Sequence, residues 1–257
     1  MLRLVTIPIS HYCEKARWAL ERAGISYREE PHVQGLHRIY SRRAGGGGTV
    51  PVLVTPEGSI GESAEIVAWA DRRLEPERRL SGEGAEAAAI AAVCGRLDDV
   101  LGPRGRRLIY VRMFAQPELM LRFNNQGVPR WEDRALRAAL PLGKRFISRA
   151  LGIVPGVERE DEAVVFAELD WIAGLLADGR PYLTGERFSA ADLTFAALAA
   201  PVVLPPRYGV RLPAEELLDA PTRALIARAR AHPAGAFALR MVAEHRDPRR
   251  VAAQPVV

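Results

Sequence analysis

The sequence predicts a small α/β domain followed by an all-α domain about twice its size. Three observations predict this arrangement. The first seventy-odd residues alternate strand and helix patterns as β-α-β, a glycine break, then β-β-α. A polar stretch with Pro76 and two glycines, Glu75 to Gly84, then reads as a linker. Beyond it the strand signals stop and helical periodicity takes over. The expected boundaries are residues 1–78 for the first domain and 85–257 for the second.

Leu2 to Ile9 is an apolar run that reads as a strand. It leads into a helix over Tyr12 to Arg22, with Ala16, Ala19, Leu20 and Ala23 at helical spacing. Glu14, Lys15, Arg17 and Glu21 fall on its other faces. Ser10 occupies the N-cap position, and Cys13 falls in the first turn, where a helix N-terminus stabilises a thiolate. The alternation in Ile25 to Glu30 predicts a second strand. His32 to Ser41 reads as irregular or weakly helical, and Ala44 to Gly48 as a flexible break. Thr49 to Val54 reads as a strand, with Pro51 at its start or edge because proline cannot donate to a ladder. After a turn, Ser59-Ile60 forms a short strand, and Glu62-Ser63 precedes a helix over Ala64 to Leu74.

In the second domain, helices are predicted over Ala85 to Leu101, Leu108 to Phe123 (divided near Pro117), Trp131 to Leu151 and Asp161 to Ala177. Further helices follow over Ser189 to Ala200 and Thr222 to Ala231, with a helical turn at Ala214 to Leu218. Pro233 to Val257 reads as mixed loop around a short helix at Phe237 to His245. Ser189-Ala-Ala-Asp192 carries a capping box, flanked by Phe188 and Leu193 as a hydrophobic staple.

The chain of 257 residues is 48% apolar, enough for real cores without metals or disulfides. Two cysteines, Cys13 and Cys94, are too few for a disulfide framework and predict a reducing compartment. No long uncharged apolar run predicts a membrane span, and no signal-peptide pattern opens the chain. A cytoplasmic protein without a membrane partner is expected. The net charge of +5 comes almost entirely from arginine interleaved with acids. That pattern argues against a nucleic-acid partner. The clusters Arg104 to Arg107 and Arg246 to Arg250 read as solvated surface. The scattered histidines give no metal-ligand spacing, so no metal is expected. Abundant Arg, Ala, Gly and Pro match the residue usage of a GC-rich genome and suggest a bacterial source.

Four pieces, in this order, resemble the glutathione S-transferase superfamily of serine or cysteine type. Ser10-His-Tyr-Cys-Glu-Lys-Ala-Arg17 resembles the active-site turn and first helix. Val50-Pro51 resembles the step whose proline is cis in that family. Glu62-Ser63, with Ile66 following, resembles the segment that receives the γ-glutamyl end of glutathione. Tyr182 to Gly185, leading into Phe188 to Asp192, resembles the family's C-terminal capping segment. The resemblance implies a thioredoxin-like N-terminal domain, an all-α C-terminal domain, glutathione as co-substrate and a homodimer. It implies glutathione contacts at Val50, Pro51, Glu62 and Ser63. Residues from about 100 to 155 match it only loosely; substrate-specific walls are expected there.

The turn Ser10-His-Tyr-Cys13 is a dithiol pattern whose first thiol has become a hydroxyl. Serine forms no disulfide, but it donates a hydrogen bond to a thiolate. Lowering a thiol from about 8.5 to about 6.5 takes roughly 2.7 kcal/mol. A charge-assisted hydrogen bond contributes about 1.5–3 kcal/mol and a helix terminus about 0.3–1. The first expectation is therefore activation of glutathione by Ser10 for attack on a small hydrophobic electrophile. Two alternatives stay open on the residues alone: a thiol transferase or reductase using Cys13, and a non-catalytic binding module. Tyr12 is read as packing and His11 as a surface histidine. One place departs from the family pattern. Gly48-Thr49 stands where relatives carry a basic residue for glutathione's glycine carboxylate, leaving Arg42 or Arg43 to reach in.

Overall fold

The computed structural model describes residues 1–247. The loop expected at 248–257 lies outside the described residues. Strands β1 (Leu2–Thr6), β2 (Tyr27–Pro31), β3 (Val52–Thr55) and β4 (Gly58–Ile60) form one mixed sheet in the order β2-β1-β3-β4. β1 and β2 run parallel, so a crossover helix must join them. That helix is α1 (His11–Arg22). β3 and β4 add antiparallel, with Leu4 opposite Leu53 and Val5 opposite Val52 at the sheet centre. Helices α2 (His37–Arg43) and α3 (Ser63–Asp71) complete this part of the chain.

The remainder is helical: α4 (Gly84–Arg96), a π-helical turn (Leu97–Leu101), α5 (Gly102–Met113) and α6 (Pro117–Asn124). Then come α7 (Arg130–Ala138), α8 (Leu140–Leu151), α9 (Val157–Leu175), α10 (Ala190–Val203), α11 (Ala220–Ala231) and α12 (Pro233–His245). α10 is apolar on every face, the mark of a central helix. Every residue from Ala191 to Ala200 is buried. The expected capping box opens it: Ser189 and Asp192 exchange hydrogen bonds with each other's backbone ends of the turn. The division expected near Pro117 is present, whereas the single helix expected over Trp131 to Leu151 is split ahead of Pro141 into α7 and α8, and α5 starts at Gly102 rather than Leu108. No helix among the described residues is long and apolar enough to cross a membrane.

Two expectations need correction, the glycine run and the second basic cluster, and two further segments are more tightly held than their composition shows. The linker is not slack: Leu80 is buried, and the Asp71 carboxylate accepts the backbone N–H groups of Leu80 and Ser81. The glycine run is a packed turn rather than a flexible break. A Cβ at Gly46 would lie 2.5 Å from Val52 Cγ2 and 2.7 Å from Ser41 Oγ, and Gly48 sits at φ +99. On α1 the charged residues Glu14, Lys15 and Arg17 are all buried. Arg246 is buried too, its Nε 2.9 Å from Glu14 Oε1, so the second basic cluster begins in the interior.

Candidate functional site

The site grows from the turn between β1 and α1. Ser10 is the N-cap of α1, in extended conformation, and its hydroxyl oxygen accepts the Cys13 N–H at 3.4 Å. The hydroxyl is half-buried and lines a cavity between the two parts of the chain. Val50 lines the same cavity, and the Val50–Pro51 peptide is cis. The opposite wall comes from α5 and α6, through Arg106, Ile109, Tyr110, Met113 and Phe123. Glu62 and Ser63 are not in that lining. Glu62 is the exposed N-cap of α3 with no side-chain cap bond, and Ser63 is the buried first residue of the helix. The first turn of α3 therefore has free N–H groups suited to a carboxylate, beside a free carboxylate suited to an ammonium.

Cys13 is not in that lining. It is wholly buried, and burial pushes its thiol up to about 11 against the weaker opposing pull of Arg17 and Ser10. Such a thiol is protonated at neutral pH and out of reach of a disulfide. The helix that carries it is held on several sides. Arg17 donates to Glu29 (2.6 Å) and to the Pro8 carbonyl, and Glu14 accepts the Gly209 N–H (2.8 Å). Lys15 pairs with the Asp98 carboxylate at 2.7 Å, while Tyr12 Oη donates to the Asp98 carbonyl at 2.8 Å. Asp98 lies in the π-helical turn, whose widened pitch frees carbonyls from their usual partners. His11 is buried instead of exposed. Burial, with Arg106 and Lys15 adding to it, pushes its imidazole down to about 3.

Two family models match the chain: the glutathione S-transferase N-terminal domain over residues 4–78 and the C-terminal domain over 155–227. Together they span more than half of it. The chain belongs to the glutathione S-transferase superfamily. Solved structures of glutathione transferases share its fold along its length. Glutathione transferase F2 from Populus trichocarpa superposes with a TM-score of 0.64 at 15% identity, covering 98% of this chain and 97% of that one. A glutathione S-transferase from Xanthobacter autotrophicus gives 0.61 at 18% identity, covering 100% and 95%. Glutathione S-transferase I from maize, in complex with an atrazine–glutathione conjugate, gives 0.62 at 18% identity, covering 98% and 96%. A sequence comparison with curated proteins finds no significant match.

Within this glutathione S-transferase fold, the sequence-predicted residues divide into groups. Ser10 and Val50 meet at the cavity, Pro51 follows directly, Glu62 and Ser63 stand at the start of α3, and Cys13 is fully buried and outside the lining. Arg42 of α2 approaches the loop before Val50. A Cβ on Gly48 would lie 3.4 Å from both Nε and Nη2 of Arg42, so this guanidinium lies across the loop that leads to Val50. Ser41 fixes that loop, accepting the Gly48 N–H and donating to the Thr49 carbonyl at 2.6 Å. Sequence reading missed His37, Arg106 and Tyr110, which line the cavity. The only linear signal was a basic cluster around Arg106, and it pointed to the surface.

Proposed function

We propose that this protein is a glutathione transferase in which Ser10 activates the thiol of glutathione for attack on a small hydrophobic electrophile. The observation that carries the reading is Ser10 itself. A half-buried hydroxyl at the N-terminus of α1 faces the cavity, with no competing reactive thiol there. Its oxygen accepts from the helix, and its proton is free to turn to a sulfur in the cavity. The hydroxyl and the helix end both favour the thiolate. The thiol proton passes to solvent, the sulfur forms a bond to the electrophilic carbon, and the leaving group departs with its electron pair.

In this reading the Val50 backbone pairs with the peptide-like ligand, with Pro51 setting its direction. Ser63 and the start of α3 take the γ-glutamyl carboxylate, and Glu62 takes the ammonium. Arg42 takes the glycine carboxylate. The maize relative's glutathione conjugate supports a conjugation chemistry, and the apolar wall of α5 and α6 supports a hydrophobic co-substrate. The family likeness adds a cytoplasmic homodimer to the reading. The test is steady-state turnover of a neutral aryl halide with glutathione. Ser10→Ala is expected to lower kcat/KM by about 10- to 100-fold, the worth of one charge-assisted hydrogen bond. Cys13→Ala is expected to retain turnover. Unchanged turnover in Ser10→Ala would remove the hydroxyl from the mechanism. A glutathione adduct on Cys13 seen by intact-protein mass spectrometry would favour the thiol-transferase reading instead.

A further inference from the structure

Arg106 stands in the cavity wall with no carboxylate paired to it among the described residues. Its neighbours on α5 are matched: Arg104 and Arg107 both bind Asp161, and Arg112 binds Glu162. Arg106 has no hydrogen bond or ion pair among the described residues, and its Nε is buried without a partner. The Tyr12 ring lies 5.8 Å from the Arg106 guanidinium carbon, and the Arg106 charge acts on His11, His37 and Tyr110. Two further polar groups in the same lining have unused capacity. His11 Nε2 is buried and unpartnered on a side chain 3% exposed. Tyr110, one helical turn beyond Arg106, accepts hydrogen bonds from Gln34 Nε2 and Asn124 Nδ2. Its own proton has no acceptor among the described residues. Around these three the lining is apolar, with Ile109, Met113 and Phe123.

A cation in a largely apolar wall loses hydration and regains it only from a counter-charge. Among the described residues none is supplied. We propose that this corner is an anion subsite and that the electrophile is a hydrophobic molecule bearing a carboxylate, seated on Arg106 with Tyr110 donating a second hydrogen bond. The inference rests on the conjugation reading above and names its substrate class. Glutathione's own carboxylates have other places in that reading, at the start of α3 and at Arg42. Arg106 belongs to the facing helical wall, between the residues matched by the two family models. Neutral at ordinary pH, His11 adds no competing charge beside Arg106 and offers Nε2 as a further polar contact.

The test separates binding from turnover. The full-length protein is titrated calorimetrically with nitrobenzoate and with its neutral counterpart nitrobenzamide, with and without saturating S-methylglutathione. The benzoate is expected to bind about tenfold tighter or more, as for a charge-assisted contact in a low-dielectric wall. Arg106→Gln is expected to erase that preference and Arg106→Lys to keep part of it. The same ratio is expected in kcat/KM for chloronitrobenzoate over a neutral aryl halide. Equal affinities in the wild-type protein would overturn the proposal, so it stays testable even if Arg106→Gln fails to fold. A preference surviving Arg106→Gln would overturn it as well. So would weakened S-methylglutathione binding in Arg106→Gln with the benzoate preference intact, which would assign Arg106 to glutathione. Failure to bind S-methylglutathione at all would sink the conjugation reading, while nitrobenzoate still reports on Arg106.

Discussion

His11 shows how much a single side chain depends on its surroundings. Its imidazole is buried next to Ser10, with Arg106 and Lys15 as charged neighbours, and it is held neutral down to about pH 3 against an ordinary 6.5. His37, on the same cavity, is pushed down to about 4, by burial first and then by Arg38. In both cases the unfolded chain takes up the proton before the folded one does. Stability from these two groups is therefore complete above about pH 6.5 and is lost as pH falls toward 3–4. His11→Gln is expected to flatten part of that acid slope, read as melting temperature across the same interval. An unchanged slope would show that His11 titrates normally. At this scale Ser10 was legible, because an N-cap is a local matter of neighbouring backbone. Arg106 was not, and Arg42 was legible only as one of two candidates beside Arg43. The reach of a long side chain is decided by which loop or wall the tertiary fold sets before it.

Elements were legible where their signals are local. The start of α10 is the clearest case, since Ser189, Asp192 and their backbone partners lie within one turn. The Asp192 carboxylate does more than close the box, for it also accepts the Leu183 N–H at 2.8 Å. Ser189→Ala is expected to cost about 1 kcal/mol, the usual worth of a cap. Asp192→Ala strands two buried N–H groups and is expected to cost about 2–4 kcal/mol. Urea denaturation orders the two variants; equal losses would mean that the Leu183 bond contributes nothing. The glycine run from Gly45 to Gly48 misled for the opposite reason. Composition reads as freedom, whereas the contacts of Gly46 with Val52 and Ser41 require the absence of a side chain. The π-helical turn at Leu97–Leu101 has no sequence signature in Leu-Asp-Asp-Val-Leu, and only its partners Tyr12 and Lys15 explain its place.

For the whole molecule, the order of an α/β part and a helical part was legible from the change in hydrophobic period. The fastening between them was not. Arg246 reaches back across the chain to Glu14 and Glu21, and Trp18 Nε1 donates to the His245 carbonyl at 3.2 Å. A residue late in the chain thus neutralises two acids on the helix that Ser10 caps. Arg246→Ala would leave a buried Glu14 short of its countercharge, and such a loss is expected to cost about 3–5 kcal/mol. Chemical denaturation measures it. A loss below 1 kcal/mol (roughly the value of an exposed pair) would mean that solvent reaches this contact.

The π-helical turn has one more effect. A turn of five residues where an α-helix needs about 3.6 carries an extra residue, and each residue in a helix is worth about 100° of rotation. The turn therefore acts as a phase setter for everything after it on the same rod. It is keyed at one point to Tyr12 and Lys15, and downstream it fixes which side of α5 is presented to Ser10. A one-residue deletion there would turn Arg106 and Tyr110 out of the cavity together and bring their neighbours on α5 round in their place. Chains of this fold that differ by an insertion or deletion at this point would thus differ in the chemistry of the whole wall, with every side chain on α5 unchanged.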